Sequence, residues 1–384
     1  DLGAEMLTKG SVGLSKDALA DQMENFGSHF SPEVENFYTD FKSTVVSRDL
    51  EAFLKVISTV LQRPEFKEDE LAKVKKIKEA QLQDALSETS ELAVNGLLQA
   101  LYQPGSVYYQ KPFQQQIIEL KEISPKDLVA FHEKHYGPND AVLAIVGDVE
   151  PDRAFAFADA SFSSWQKKTE PSIDLTEKPM QWSVPQKKTV STPVADKSSV
   201  DIVIGRPVPV SITSPDFHAS QVANAALGHD TIASRLAVIR EKHGLTYGVS
   251  SSFMDNAQKN APWVVQLSVN PENNSKAMAL VKQIMNDYAK TGISPQELKT
   301  EIARLSGEYV VYRMRTPEQI ADALTKYELL GLGAQFIDKH RLKLQQVKKE
   351  QVDAFIRKYM NINDMVTSTA GSIGAAKTGK AESQ

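Results

Sequence analysis

The apolar residues near the start of the chain recur at the spacing of an amphipathic helix. Leu19, Met23 and Phe26 fall on one face of such a helix, and Gly27 follows them as a typical C-terminal stop. This pattern predicts a short helix over residues 16–26, with its apolar face turned toward a core.

Further along, helical and strand-like patterns are mixed. The stretch from Glu68 to Tyr102 is rich in Lys, Glu, Gln, Ala and Leu and lacks proline, so it predicts one long helix. Ser124-Pro125 opens another helix, because proline suits the first helical turn. The predicted elements are a strand near 36–46, helices over 50–61, 68–102 and 125–135, and a buried strand over 141–146.

After about residue 165 the sequence becomes rich in Lys, Thr, Ser and Pro and shows little periodicity. Such a stretch is typical of a linker between domains. The sequence therefore predicts an N-terminal domain over 1–165, a linker over 166–197, a C-terminal domain over 198–374 and a disordered polar tail over 375–384.

Three segments of the first half have counterparts, in the same order, in the second half. The stretch VAFHEKHYGPNDAVLAIVGDV from Val129 matches DAFIRKYMNINDMVTSTAGSI from Asp353. The helix containing Leu71 matches the one containing Leu298, and residues 18–30 match residues 235–247, with Gly27 over Gly244. Three ordered matches predict an internal duplication.

Strands and helices are mixed in each copy without strict alternation, which favours an α+β fold over a doubly wound parallel sheet. We expect two homologous α/β sandwich domains, each with a mixed, largely antiparallel sheet flanked by helices. A cleft between two such domains is a natural place for a ligand.

Composition excludes several partners and sites. The net charge of −5 and the lack of a Lys/Arg stripe interleaved with aromatics argue against nucleic acid. There is no cysteine, which removes disulfides, thiolate zinc sites and cysteine nucleophiles. No run approaches the roughly 18 apolar residues of a membrane span, so no membrane span is expected.

Histidines are the first candidates for a metal site. His132 and His135 are spaced i, i+3 and share a helix face, but a zinc site needs at least three convergent ligands and no third is evident. The second copy has Ile356 and Tyr359 at the corresponding places. Partly exposed helix-end histidines are the favoured interpretation, with ligation as the alternative. The remaining histidines stand singly and are interpreted as turn or surface residues: His29, His218, His229, His243 and His340.

Common enzyme motifs are missing from the sequence. It lacks a GxxxxGK[ST] phosphate loop, a Gly-x-Gly-x-x-Gly run after a strand and a Gly-x-Ser-x-Gly elbow. The segment SRLAVIREKHGLTYGV, residues 234–249, predicts a helix with Leu236 and Ile239 facing inward, ended by Gly244 and followed by a strand near Tyr247. On composition alone, Arg240 is interpreted as a solvent-exposed helix residue and Tyr247 as an ordinary aromatic residue of a strand.

This segment resembles the SRL…RE…GL.Y signature in the downstream domain of the pitrilysin family of zinc metallopeptidases, which includes insulysin and mitochondrial processing peptidase. HYGPNDAVLAIVGDV from His135 resembles the family's helix-to-strand unit. Active members carry H-x-x-E-H near the start of the first domain and a glutamate ligand on a later long helix. Two histidines and a carboxylate leave one zinc position open for water.

The resemblance places Asp1, Ala4 and Glu5 where the family has His, Glu and His, and Gln81 at or near the third-ligand position. Ala4 lacks a group that can act as a base, and Gln81 is a poor zinc ligand. The resemblance therefore implies no metal site and no cofactor in this chain, and hydrolysis by the chain alone is not expected.

In two-chain family members, one subunit carries zinc and the other supplies the arginine and tyrosine that hold the peptide. The resemblance thus implies a heterodimer with a homologous zinc-bearing subunit, in which Arg240 binds the peptide substrate and Tyr247 stabilises the transition state. The alternatives are a non-enzymatic core or scaffold protein of the same fold, and an enzyme whose zinc motif lies upstream of this segment. The family's two-chain bacterial members suggest a soluble protein of the bacterial periplasm or envelope, with the cytoplasm as the other option.

Overall fold

The computed structural model describes residues 1–167, 188–229 and 233–373, so most of the predicted linker and the predicted tail lie outside the described residues. The described residues group into two compact units, each made of separate stretches of the chain. Unit 1 comprises 1–81, 117–167 and 308–339, and unit 2 comprises 82–116, 188–229, 233–307 and 340–373. The predicted domain boundaries remain a prediction.

Helices make up most of the regular structure. They are α1 Leu2–Leu7, α2 Lys16–Asn25, α3 Leu50–Gln62, α4 Glu68–Ala85, α5 Thr89–Leu101, α6 Phe113–Glu122, α7 Pro125–His135, α8 Pro151–Phe162, α9 Phe217–Asn224, α10 Val238–Glu241, α11 Asn274–Thr291, α12 Pro295–Arg313, α13 Pro317–Leu329, α14 Phe336–Gln345 and α15 Lys349–Tyr359. The predicted helices at 16–26, 50–61 and 125–135 are confirmed as α2, α3 and α7. In the described part of the chain, no helix is long and apolar enough to cross a membrane.

The strands are β1 Gly10–Ser11, β2 Leu14–Ser15, β3 Ser31–Val34, β4 Thr39–Lys42, β5 Thr189–Pro193, β6 Val200–Val208, β7 Thr246–Phe253, β8 Ala261–Val269 and β9 Val366–Gly371. β5 to β9 form one five-stranded sheet in unit 2, in the order β5-β9-β6-β8-β7. β5 and β9 are parallel, and the other neighbouring pairs are antiparallel. The predicted mixed, largely antiparallel sheet packed with helices is confirmed for this unit.

The core of unit 2 lies on this sheet. The central strands β6 and β8 are apolar and buried almost throughout. Each has a neighbouring strand on both edges, and other elements of unit 2 cover the faces of the sheet. α5 packs across β6, β9 and β5. Gly96 makes this close packing possible, since a Cβ there would lie 2.9 Å from Ser368 Oγ and 3.3 Å from Val190 Cγ1.

The prediction of a single helix over 68–102 is wrong. α4 ends at Ala85 and α5 begins at Thr89, with Glu88 in an extended conformation between them. Leu86, Ser87 and Glu88 are all tolerated in helices, so composition does not reveal the break. The break lets α5 turn onto the unit 2 sheet, where Leu97 and Leu98 become buried.

The strand predictions for the first half are also corrected. The stretch near 36–46 forms only the second arm of a hairpin, in which β3 pairs with β4. Residues 141–146 form no strand, and Val142 and Leu143 are 37% and 51% exposed. The segment that matches them in sequence, β9, lies between β5 and β6, whereas the described strands of unit 1 form only the two-stranded pairs β1-β2 and β3-β4. Without a neighbouring strand, an apolar run has no ladder to join.

Candidate functional site

The predicted Arg/Tyr segment folds as a short helix followed by an edge strand of the unit 2 sheet. A 3₁₀ turn at Arg235–Ala237 leads directly into α10. Leu236 and Ile239 are fully buried, as the sequence predicts. Gly244 then takes a left-handed conformation with φ +59°, and its N–H donates to the carbonyl of Arg240 at 2.9 Å. This glycine cap turns the chain back into β7.

The turn brings the two predicted site residues together. The guanidinium carbon of Arg240 lies 5.5 Å from the centre of the Tyr247 ring. Tyr247 is 90% exposed and the side chain of Arg240 is 40% exposed. An exposed cation–π contact of this kind contributes about 0.5–1 kcal/mol, enough to favour one mutual orientation while leaving both polar ends accessible.

Both side chains keep hydrogen-bonding capacity. Arg240 Nε lies 3.4 Å from a carboxylate oxygen of Glu241. Among the described residues, no group accepts a hydrogen bond from the terminal guanidinium nitrogens of Arg240 or pairs with the hydroxyl of Tyr247. A guanidinium offers donors to carbonyl oxygens, and a phenol offers one O–H donor. This surface can therefore bind an acceptor-rich ligand such as a peptide backbone.

Arg235 has a structural role that the sequence alone did not reveal. Its guanidinium donates two hydrogen bonds of 2.7 Å to Glu297 and one of 2.9 Å to the carbonyl of Gly292. It also lies 4.3 Å from the ring centre of Tyr288. Burial raises the pKa of Glu297, but hydrogen bonds from Arg235 and Ser294 outweigh it and lower the pKa overall. Arg235 thus ties the start of the Arg/Tyr segment to α12.

The degenerate zinc positions lie in unit 1. Asp1 precedes α1 and is exposed, whereas Ala4 is buried within the helix. The carboxylate of Glu5 lies 3.5 Å from the ammonium of Lys78 on α4 and 3.9 Å from that of Lys9. α4 therefore passes α1, as the family resemblance implies, and brings a lysine to Glu5.

The side chains at these positions do not fit zinc. Gln81 follows Lys78 by one helical turn on α4 and is exposed. The Lys78 ammonium already neutralises Glu5 and repels a cation at that carboxylate, and Ala4 offers no base. Across residues 1–167, 188–229 and 233–373, no group of three or more His, Asp or Glu side chains is arranged to hold a metal ion.

The His132 and His135 pair is used for packing. His132 is 8% exposed, and its Nε2 lies 2.8 Å from the carbonyl oxygen of Leu61, a partner that requires this nitrogen to donate. Its ring stacks on Tyr136 at 5.1 Å, while His135 lies 4.6 Å from the ring of Phe131. These contacts account for both rings without a metal.

Both parts of the chain match models of known protein families. Residues 2–110 match the family model described as insulinase (peptidase family M16), and residues 122–305 match the model described as peptidase M16 inactive domain. A crystal structure of a peptidase M16 inactive domain from Pseudomonas fluorescens superposes with a TM-score of 0.85 at 25% identity, covering 98% of this chain and 88% of that one.

Two curated relatives match shorter stretches of the chain. An uncharacterized zinc protease of Rickettsia felis is 23% identical over 250 residues, which is 64% of this chain and 57% of that protein, so the match spans less than two thirds of the relative. The non-peptidase homolog YmxG of Helicobacter pylori is 24% identical over 315 residues, covering 80% of this chain and 69% of that protein. With both family models matching in order along one chain, this protein belongs to peptidase family M16.

Proposed function

We propose that this chain is the zinc-free subunit of a heterodimeric M16 peptidase and that Arg240 and Tyr247 complete the active site of a zinc-bearing partner. The observation that carries the proposal is the exposure of Tyr247, which is 90% accessible beside Arg240. Its ring and hydroxyl are therefore accessible to a ligand, with the guanidinium of Arg240 beside them.

The chemistry of the pair suits peptide hydrolysis. As the scissile carbonyl becomes tetrahedral, its oxygen gains negative charge, and the Tyr247 hydroxyl can donate a hydrogen bond to it. Arg240 can donate to neighbouring peptide carbonyls and hold the backbone in place. Zinc expected in the partner would supply the activated water. No step is assigned to a metal in this chain, because Ala4 and the Lys78-paired Glu5 do not fit one.

The position of Tyr247 supports one class of substrate. Among the described residues, β7 is the last strand of the five-stranded sheet and pairs with β8 alone. An extended peptide that binds along such an edge can use main-chain hydrogen bonds for affinity. We therefore propose extended peptides or unfolded segments as substrates.

The test mixes the purified chain with a homologue from the same genome that has an intact H-x-x-E-H motif. We expect peptidase activity in the mixture, and kcat lower by about 10²-fold with Tyr247→Phe, the usual effect of removing one preorganised donor. Tyr312→Phe is the matched control, because Tyr312 is also exposed, at 67%, but lies on α12. Equal activity of Tyr247→Phe and the unaltered chain would contradict the role of Tyr247.

A scaffold function is the second candidate, favoured by the relative named as a non-peptidase homolog. It predicts that Arg240→Ala and Tyr247→Phe leave assembly with partner proteins and cellular function unchanged. An active enzyme with an upstream zinc motif is distinguished by metal analysis of the full-length protein, which would then contain about one zinc per chain, the stoichiometry of a single catalytic site.

A further inference from the structure

Strand alternation alone would bury Tyr247. Residues two apart on a strand point to the same face, so Tyr247 would share the face of Val249 and Ser251. Those two residues are only 3% and 1% exposed, whereas Tyr247 is 90% exposed. A local feature of the backbone must therefore turn the Tyr247 side chain to the opposite face of the sheet, directly after the buried Thr246.

The reversal is a β-bulge at the start of β7. Thr246 pairs with Val269 and Val249 pairs with Leu267, so Tyr247 and Gly248 together stand opposite the single residue Ser268. The extra residue shifts the alternation and lets Thr246 and Val249 both face inward. Tyr247 is left pointing outward.

The hydroxyl of Thr246 fills the inside of this bulge. Its Oγ1 lies 2.7 Å from the carbonyl oxygen of Gly248 and 2.6 Å from that of Ser268, and it accepts the N–H of Gly248 at 3.2 Å. Thr246 is only 8% exposed. A hydroxyl has one hydrogen to donate and can also accept. The Thr246 hydroxyl therefore accepts from the N–H of Gly248 and shares its own hydrogen between the carbonyl oxygens of Gly248 and of Ser268 on β8.

We infer that Thr246 is the positioning residue for Tyr247: its hydroxyl holds the bulge that turns the tyrosine out of the sheet. Without it, the N–H and C=O of Gly248 and the C=O of Ser268 lose this partner, which favours regular pairing over the bulge. Regular pairing directs Tyr247 toward the face of Val249. The consequence for catalysis rests on the proposed function, but the geometry does not.

The test measures the accessibility of Tyr247 directly, by nitration of the whole protein and peptide mapping, with Tyr312 as the internal standard. Thr246→Val keeps the shape but loses the hydroxyl, so nitration of Tyr247 should fall several-fold relative to Tyr312. Thr246→Ser keeps the hydroxyl and should retain most of the nitration. Thr325→Val removes a hydroxyl that donates to helix carbonyls elsewhere and should leave Tyr247 unchanged.

A second variant tests the bulge itself. Deleting Gly248 removes the extra residue from β7. Thr246 and Val249 then face the core and Tyr247 faces outward by regular strand alternation, and the Thr246 hydroxyl is no longer needed to hold this arrangement. Thr246→Val made in the deletion background should therefore have no effect on Tyr247 nitration. If Thr246→Val fails to fold, Thr246→Ala carries the same comparison.

Full nitration of Tyr247 in both Thr246→Val and Thr246→Ala would overturn the inference, as would a loss of nitration in Thr246→Ser equal to that in Thr246→Val. The peptidase assay separates this result from the proposed function. If nitration falls in Thr246→Val while Tyr247→Phe leaves activity unchanged, the positioning role stands and the proposed function fails. If both variants lower kcat and Thr246→Ser restores it, both stand.

Discussion

At the residue scale, unit 2 holds a histidine pair outside the Arg/Tyr segment, formed by the buried His218 and the half-buried His340, so the interpretation of His218 as a turn or surface residue is wrong. His218 Nε2 lies 3.1 Å from His340 Nδ1, and Phe217 packs its ring edge against His218. Burial, the second imidazole and the Lys343 ammonium lower the pKa of His218 to about 3, and burial and Lys343 lower that of His340 to about 4. Both rings are therefore neutral in the folded protein near neutral pH.

This pair predicts a loss of stability in mild acid. The unfolded chain protonates its histidines near pH 6.5, but the folded pair resists protonation until about pH 4, so the contribution is complete above pH 6.5 and declines as pH falls below it. Because both histidines contribute, we expect the free energy of unfolding to drop by about 2–4 kcal/mol between pH 7 and pH 5.

Urea unfolding at several pH values measures this slope. His218→Gln should flatten it, because one titrating group is removed. His243→Gln is the control, since His243 is exposed, and it should keep the slope of the unaltered protein. Identical slopes for all three proteins would contradict the assignment.

At the scale of elements, the junction between α10 and β7 depends on one backbone conformation. Gly244 has φ +59°, and a Cβ there would meet no atom within 4 Å. Substitution is therefore limited by backbone conformation and not by space. The sequence already indicated this position as a helix stop, because glycine is the usual residue for a left-handed cap.

Gly244→Ala should lower the free energy of unfolding by about 1–2 kcal/mol, the cost of a left-handed conformation for an L residue. Gly307→Ala is a control of opposite sign. Gly307 lies in α12, is exposed and has open space around it, so alanine there should stabilise by about 0.5–1 kcal/mol. Chemical denaturation of the two variants side by side checks both signs, and stabilisation by Gly244→Ala would contradict the cap.

At the scale of the whole molecule, the compact units do not follow the linear order of the chain. α5 comes from the predicted N-terminal domain, yet it belongs to unit 2 and packs on the sheet there. The hydroxyl of Tyr102, the residue that follows α5, donates to the carbonyl of Asn260 at 2.6 Å, and both residues are buried. Unit 2 therefore needs residues 82–116 to cover its sheet.

A fragment of residues 188–374 keeps every strand of the sheet but lacks α5, so it should not unfold cooperatively. Adding residues 82–116 as a separate chain should restore a cooperative transition. Trp263 reports on both experiments, because it is fully buried in the sheet and is the only tryptophan of this fragment. Cooperative unfolding of residues 188–374 alone would contradict the assignment of α5 to unit 2.

The sequence alone was sufficient for what depends on near neighbours in the chain. Helix periodicity located α2, α3 and α7, Gly244 marked the cap, and Leu236 and Ile239 were correctly placed in the core. The family signature was also readable, because motifs are carried by residue type and spacing.

The tertiary structure decided what depends on partners distant in sequence. Whether residues 141–146 form a strand depends on the presence of a neighbouring strand. Likewise, α5 packs on the unit 2 sheet because its apolar face is buried there. Lys78 reaches Glu5 only when α4 passes α1. The direction of Tyr247 depends on its register with β8, since a single extra residue in that ladder moves a side chain from one face to the other.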